Sequence, residues 1–170
     1  MKIEDFCKKL EGELAALGAG EERLSLAVQS LRKAFRVKPD EISILSLDDE
    51  KQVLVFVWPA KLAKSGFIPL SSSSSLAART ARDKKGFANN RFASVHHSSI
   101  FESVRLGPES DPPPLPIQKI LSAPLLSSDK VSGVVQVCRK GTNTADAGED
   151  FSQTQLTALT QIAQILARTL

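Results

Sequence analysis

Two apolar runs separated by four polar residues dominate the last third of the chain. Residues 120–126 (ILSAPLL) and 131–137 (VSGVVQV) flank the turn Ser127-Ser128-Asp129-Lys130, a pattern that predicts a β-hairpin. Pro124 has no amide to donate, so it must lie at a sheet edge or a bulge, while Gly133 would let a helix approach closely. Arg139-Lys140, a polar loop and Phe151 follow, and then a helical pattern runs over residues 153–170. Ser152 and Gln155 have the spacing of a capping box, and Phe151 and Leu156 can form the hydrophobic staple across it. Leu156, Leu159, Ala163, Leu166 and Leu170 step by three and four, which keeps one side of that helix apolar.

The first 35 residues carry a similar seam. Ile3, Cys7, Leu10, Leu14, Leu17, Glu21, Leu24, Val28, Leu31 and Phe35 alternate steps of four and three, and Glu21 alone is polar. Gly18 and Gly20 interrupt the seam, each at about 1 kcal/mol relative to alanine. Either two helices, over 2–17 and 21–36, or one long helix weakened at Gly18-Ala19-Gly20 is expected, with Pro39 ending the stretch in both cases. Residues 41–47 (EISILSL) and 52–58 (QVLVFVW) flank the turn 48–51 and predict another hairpin. Its second strand is apolar on both faces and should be covered on both sides.

Residues 67–70 predict a short strand. The serines at 71–75 read as a loop ending in an N-cap for a helix that starts at Leu76 and stops before Gly86. Residues 87–92 fit a short strand or an extended loop, and 94–105 (SVHHSSIFESVR) predict a short helix burying Ile100, Phe101 and Val104. Residues 107–116 (GPESDPPPLP) cannot be regular structure, because the prolines lack amide donors. Pro113-Pro114-Leu115-Pro116 has polyproline-ligand spacing, but an exposed loop inside one domain is the preferred reading.

A chain of 170 residues can bury one real core, and 42% apolar with 24% charged residues is ordinary for a globular protein. Tyr is absent, aromatic content is 5% and the net charge is only +3, with basic residues scattered. That composition argues against a nucleic-acid partner, which would need stacking aromatics or a phosphate-tracking surface. Cys7 and Cys138 offer neither zinc spacing nor a disulfide framework. The charged N-terminus (MKIEDFCKKLEGE) is not a signal peptide and no run approaches the ~18 apolar residues of a membrane span. A cytoplasmic protein with no membrane partner is expected.

The hairpin ILSAPLLSSDKVSGVVQVCRK and its closing helix resemble the end of a GAF domain. Upstream, IPLSSSSSLAARTARDKKGF resembles the family's strand, serine-rich turn and small-residue helix, so the likeness spans residues 24–170. The resemblance implies an α+β fold: a central antiparallel sheet of five or six strands, both terminal helices on one face, and residues 67–116 covering the other. A division into an N-terminal helical extension (1–20) and a GAF-like domain (21–170) is expected. In such domains a ligand cavity lies between sheet and cover, and Trp58, Phe67, Phe92, His96, His97, Ile100 and Phe101 are the candidate lining. The implied function is non-catalytic: a small-molecule sensor signalling through its terminal helices. The alternative is a dimerisation or interaction module with a vestigial pocket. A homodimer would form on the terminal seams, with Leu10, Leu14, Leu17, Leu24, Leu159 and Leu166 at the interface.

Specialised branches of the family fit poorly. Cyclic-nucleotide binders carry Asn-Lys after the last strand and an acidic pair early in the closing helix; here Arg139-Lys140, Gln155 and Leu156 stand at those positions, so Lys140 and Phe151 read as structural. Bilin attachment needs a cysteine where His96-His97 lies. Free methionine sulfoxide reductases use pocket cysteines, whereas Cys138 belongs to a strand that should be buried, where a thiol is inert. Adjacent helical residues point about 100° apart, so His96 and His97 would not chelate one metal. No cofactor is named by any motif.

Overall fold

Six strands form one antiparallel sheet in the computed structural model, which describes residues 2–170. The long hairpin is β5 (Ile117–Ser127) and β6 (Lys130–Lys140); the earlier hairpin is β1 (Ile42–Asp48) and β2 (Val53–Trp58). Short strands β3 (Phe67–Pro69) and β4 (Phe87–Asn89) close the two edges, giving the order β3-β2-β1-β6-β5-β4. β1 pairs with β6, Ile42 opposite Val137 and Ile44 opposite Val135, so the two hairpins lie side by side in one layer. This is the α+β fold expected from the sequence.

Pro124 pairs across to Val134 on one side, and on the other β4 has already stopped opposite Ser122. It therefore sits where β5 is an edge strand, as its missing amide requires. Gly133 serves a different neighbour from the helix expected. A Cβ there would meet the carbonyl oxygen of Leu45 at 2.0 Å, so it is the β1 backbone that needs the space. Two irregularities flank this contact: Leu125 pairs with Gly133 and Leu126 with Val131, leaving Ser132 unmatched, and Ile44 pairs with Trp58 and Leu45 with Phe56, leaving Val57 unmatched. Such a bulge kinks a strand and turns the residues beyond it.

The helix-side face carries α1 (Ile3–Ala16), α2 (Glu21–Phe35) and α4 (Gln153–Thr169). Of the two possibilities for the N-terminus, the separate helices form. Leu17 is extended and Gly20 takes φ +102°, which breaks the rod. Arg23 then fixes the break, donating to the carbonyls of Leu17 (3.0 and 3.1 Å) and Thr169 (2.9 Å). Leu10 and Leu14 of α1, Leu31 of α2, and Leu159, Ile162 and Leu166 of α4 share one buried cluster with Ile42, Leu121 and Val137 of the sheet. Each of these leucines contributes about 2 kcal/mol by leaving water. The capping box at α4 is present: Gln155 N–H donates to Ser152 Oγ (3.1 Å) and Ser152 N–H to Gln155 Oε1 (2.9 Å).

Four of the six leucines expected at a dimer interface are corrected by this packing. Leu10, Leu14, Leu159 and Leu166 are buried inside the chain's own core, with no surface to offer a second copy; Leu17 and Leu24 are half-buried. A four-three seam needs an apolar partner, and here the chain's own helices and sheet provide it.

The other face is covered by α3 (Leu76–Asp83) and by residues 90–116, which hold a single 3₁₀ turn, Phe92–Ser94, and otherwise no regular structure. The helix expected over 94–105 does not form. His97 Nδ1 bonds to Val95 O at 2.6 Å and Val104 N–H donates to Phe101 O at 3.3 Å, giving turns. Histidine, serine and valine in this stretch favour a helix only weakly. Phe101 and Val104 are nonetheless buried and Ile100 half-buried. Among the described residues no helix is long and apolar enough to cross a membrane.

Candidate functional site

Strand alternation puts a polar strip in the middle of the covered face. Ser43 on β1, Gln136 on β6 and Ser122 on β5 are register neighbours, and all three are buried. Gln136 Nε2 donates to Ser122 Oγ (3.1 Å), Ser43 Oγ donates to Gln136 Oε1 (3.4 Å), and Ser122 Oγ bonds to Thr80 Oγ1 of α3 (2.7 Å). The chain of bonds satisfies polar groups that would otherwise be expensive to bury. α3 begins beside it because Ser75, the last of the five serines, accepts from Ala78 N–H (3.1 Å) and caps the helix.

Above the strip lies a cavity of about 30 Å³, with Gln136 and Ser75 among its polar walls and Phe56, Ile68, Ile117 and Ile120 among its apolar ones. That is room for about one water molecule. Its cover is Phe92, His97 and Phe101. The Phe92 and His97 rings stack at 4.1 Å. His97 Nε2 lies 3.0 Å from Glu102 Oε2, and the same carboxylate oxygen accepts from Ile117 N–H at 2.7 Å. Both ring nitrogens of His97 therefore face oxygen acceptors, Val95 O and Glu102, which fixes the ring over the cavity. Lys140, with its side chain only 6% exposed, holds the next residue group: Nζ donates to Phe101 O (3.4 Å), stands 5.2 Å over the Phe101 ring and lies 3.9 Å from Asp40.

Of the seven residues expected to line this pocket, Phe92, His97 and Phe101 do so. Trp58 is corrected to the opposite face, where its indole donates to Pro39 O (3.1 Å) and its ring joins the helix-side cluster. The unmatched Val57 turns it there, since without a bulge Trp58 would share the side of Phe56. Phe67 is 60% exposed on the edge strand, because β3 has no neighbour beyond it. His96 is exposed, and Ile100 packs at the margin of the covered cluster without lining the cavity. Phe56, Ser75 and Gln136 were missed. In VLVFVW every position is apolar, so the phase of the strand is invisible, but the buried-polar alternation of Ser122 and Gln136 was a readable sign.

Lys140 faces Asp40, from the 3₁₀ turn before β1, and Gln155 is occupied by its cap. Glu41 braces the same corner, buried and accepting from Lys38 N–H (2.9 Å) and Lys140 N–H (2.6 Å). Arg139 stacks over Phe151 at 4.2 Å and donates to Phe35 O (3.0 Å), tying the end of β6 to both α2 and α4. Burial lowers its guanidinium pKa, with Glu41 and Glu149 acting against the shift, and the group stays charged. Among the described residues no cluster of His, Cys, Asp and Glu could hold a metal ion.

Cys138 is fully buried in the covered cluster. Burial pushes its thiol well above the ordinary thiol range, and Lys140 offsets this only in part. Cys7 on α1 is raised as well, by burial first and then by Glu4 and Glu11. A thiol raised in the folded state is more fully protonated there than in the unfolded chain. Its contribution to stability is therefore complete below the ordinary thiol range and declines as pH rises through and above it. Native protein at pH 7.5 should leave Cys138 unlabelled by iodoacetamide over hours, while urea-unfolded protein labels both cysteines. Rapid native labelling of Cys138 would contradict the burial.

No protein-family model matches the chain, and no curated protein matches it in sequence. Solved structures do resemble it. The GAF domain from an Acinetobacter phosphoenolpyruvate-protein phosphotransferase has a TM-score of 0.71 at 17% identity, covering 98% of this chain and 90% of that one. The corresponding GAF domain from Coxiella burnetii gives 0.70 at 14%, covering 98% and 91%. Free methionine-R-sulfoxide reductase from Neisseria meningitidis, in complex with its substrate, gives 0.67 at 16%, covering 98% and 87%.

Proposed function

We propose, from the premise that this chain has a GAF-like fold, that it is a non-catalytic cytoplasmic sensor of a small molecule, with residues 1–20 as a helical extension of a domain formed by 21–170. The observation that carries the reading is the polar strip on the covered face. Gln136 and Ser75 look into a space closed by the start of α3 and by side chains of an irregular 27-residue segment, 90–116. Long irregular segments inside a compact domain are commonly lids or binding loops. A ligand would displace Phe92, His97 and Phe101 and take over the polar groups beneath.

The cover is also wired to a terminal helix. Asn90, two residues before Phe92, donates from Nδ2 to Phe151 O (3.0 Å) and accepts from Phe151 N–H at Oδ1 (2.8 Å). Phe151 directly precedes the N-cap of α4. A shift of the cover at Asn90 would thus pull on the start of α4, which supports signalling through the terminal helices. The reductase likeness does not carry an enzymatic reading here, since Cys138 is sealed in the core and its thiolate is disfavoured.

One observation favours a second reading, an interaction module with a vestigial pocket: about 30 Å³ is far below the roughly 300–1,000 Å³ of small-molecule sites. In that case any homodimer would use the outward faces of α1, α2 and α4 rather than the buried leucines. Titration of ¹⁵N-labelled protein with a metabolite library separates the two. The sensor reading expects a saturable ligand that shifts Phe92, Phe101 and the first turn of α4 together. If no compound shifts the cover, and its amides exchange only with global unfolding, the cover is ordinary core and the sensor reading fails.

A further inference from the structure

A larger opening lies on the other side of the sheet from the candidate pocket. It is about 410 Å³, within the range of small-molecule sites. Its origin is simple: α2 starts at Glu21 and α4 stops at Thr169, so neither helix reaches the far end of the central hairpins. Leu24 and Leu166 from the helices, and Ile44, Val57 and Leu125 from the sheet, make an apolar interior, and the exposed Ser46 and Ser132 lie at its mouth.

Arg23 lines the same opening. Its guanidinium has five N–H donors, of which three go to the carbonyls of Leu17 and Thr169. One N–H on each terminal nitrogen remains. Among the described residues the ion pairs leave Arg23 without a carboxylate partner. Glu21 stands on the same rim but is exposed, where water and salt screen its charge. A cation with free donors at the edge of an apolar interior is complementary to a molecule with an apolar body and one negative end.

We propose that this cleft is a second binding site, for a medium-chain carboxylate. The apolar chain lies over Leu24, Val57 and the exposed Leu170, and the carboxylate accepts from the two unused N–H groups of Arg23. The site is independent of the covered pocket and does not require Phe92, His97 or Phe101 to move.

The test is a titration of methyl-labelled full-length chain with decanoate, followed by carbon-13 NMR, with decanol as the neutral analogue. Saturable shifts are expected at the methyls of Leu24, Val57 and Leu170, with at least tenfold weaker binding of decanol. Arg23→Met should weaken decanoate at least tenfold more than it weakens decanol. Ser132→Trp, on an exposed strand position, should fill the mouth and abolish both; Ser46→Trp is the second plug should the first variant fold poorly. Phe101→Ala should bind decanoate as the parent does. Equal binding of decanol and decanoate overturns the proposal. So do shifts confined to the cover residues, an absence of saturable shifts, or shifts that vanish on dilution of the protein alone, which would mark a second copy of the chain as the occupant.

Discussion

Gly133→Ala is expected to destabilise the fold by about 3 kcal/mol or more, enough to threaten folding of a domain this size. The added Cβ would sit 2.0 Å from Leu45 O and 3.1 Å from both Leu45 C and Leu125 Cδ1. A flexible side chain could rotate away from such a contact, but a carbonyl oxygen cannot. Leu45 is held by pairing to Val134 on one side and Phe56 on the other, beside the unmatched Val57. Relief therefore requires separating β1 from β6, which join the two hairpins into one sheet. Gly12→Ala is the control. Nothing lies within 4 Å of a Cβ at Gly12, which is inside α1, so this change should stabilise by up to about 1 kcal/mol. Urea unfolding followed by the fluorescence of Trp58 reads both. A Gly133→Ala midpoint equal to that of the parent would mean the hairpins do not meet as described.

The sequence carried the layer order well because the large features are periodic. Steps of three and four placed all three long helices, and the breaks at Gly20, Pro39 and Ser152 are local chemistry acting on the nearest residues. Both hairpins were legible for the same reason: polar turns between apolar runs. What escaped depends on single residues and on partners distant in sequence. The bulge at Val57 reverses Trp58, yet nothing in QVLVFVW distinguishes a regular strand from a bulged one. Gly133 was read as room for a helix, when its neighbour is a carbonyl 88 residues earlier (Leu45). The terminal seams were legible as apolar surfaces but not as to their partner, since a helix pattern is the same whether it meets a sheet or a second copy. In the candidate site, Phe92, His97 and Phe101 were found by residue type within a segment whose helix did not form. Burial of Phe101 and Val104 survived that error, because apolar residues near a sheet face are covered by whatever backbone path is open to them.

Phe101→Ala bears most directly on how the covered face works, and a loss of about 3 kcal/mol is expected from removing a buried phenyl ring. The substitution is informative because it deletes the ring alone. The backbone carbonyl that accepts from Lys140 Nζ remains, and so does the pairing of Lys140 with Asp40, so the corner beside β6 keeps its polar contacts. What goes is one wall of the cavity, together with the ring beneath the ammonium group, 5.2 Å away. The cavity of about 30 Å³ should open enough to admit several waters beside Gln136. Amide exchange then separates a lid from a core. If residues 95–104 close a binding site, they open locally in the parent protein, and the variant should raise their exchange at least tenfold beyond the rise seen in α4 and β6. If they are core, exchange in the cover, α4 and β6 should accelerate by one common factor, since all three then report the same global unfolding. The first outcome is expected: once the ring is gone, residues 97–102 are held to the sheet by the Glu102–Ile117 and Lys140–Phe101 carbonyl bonds, and a few such polar ties are weaker than the phenyl packing they accompany.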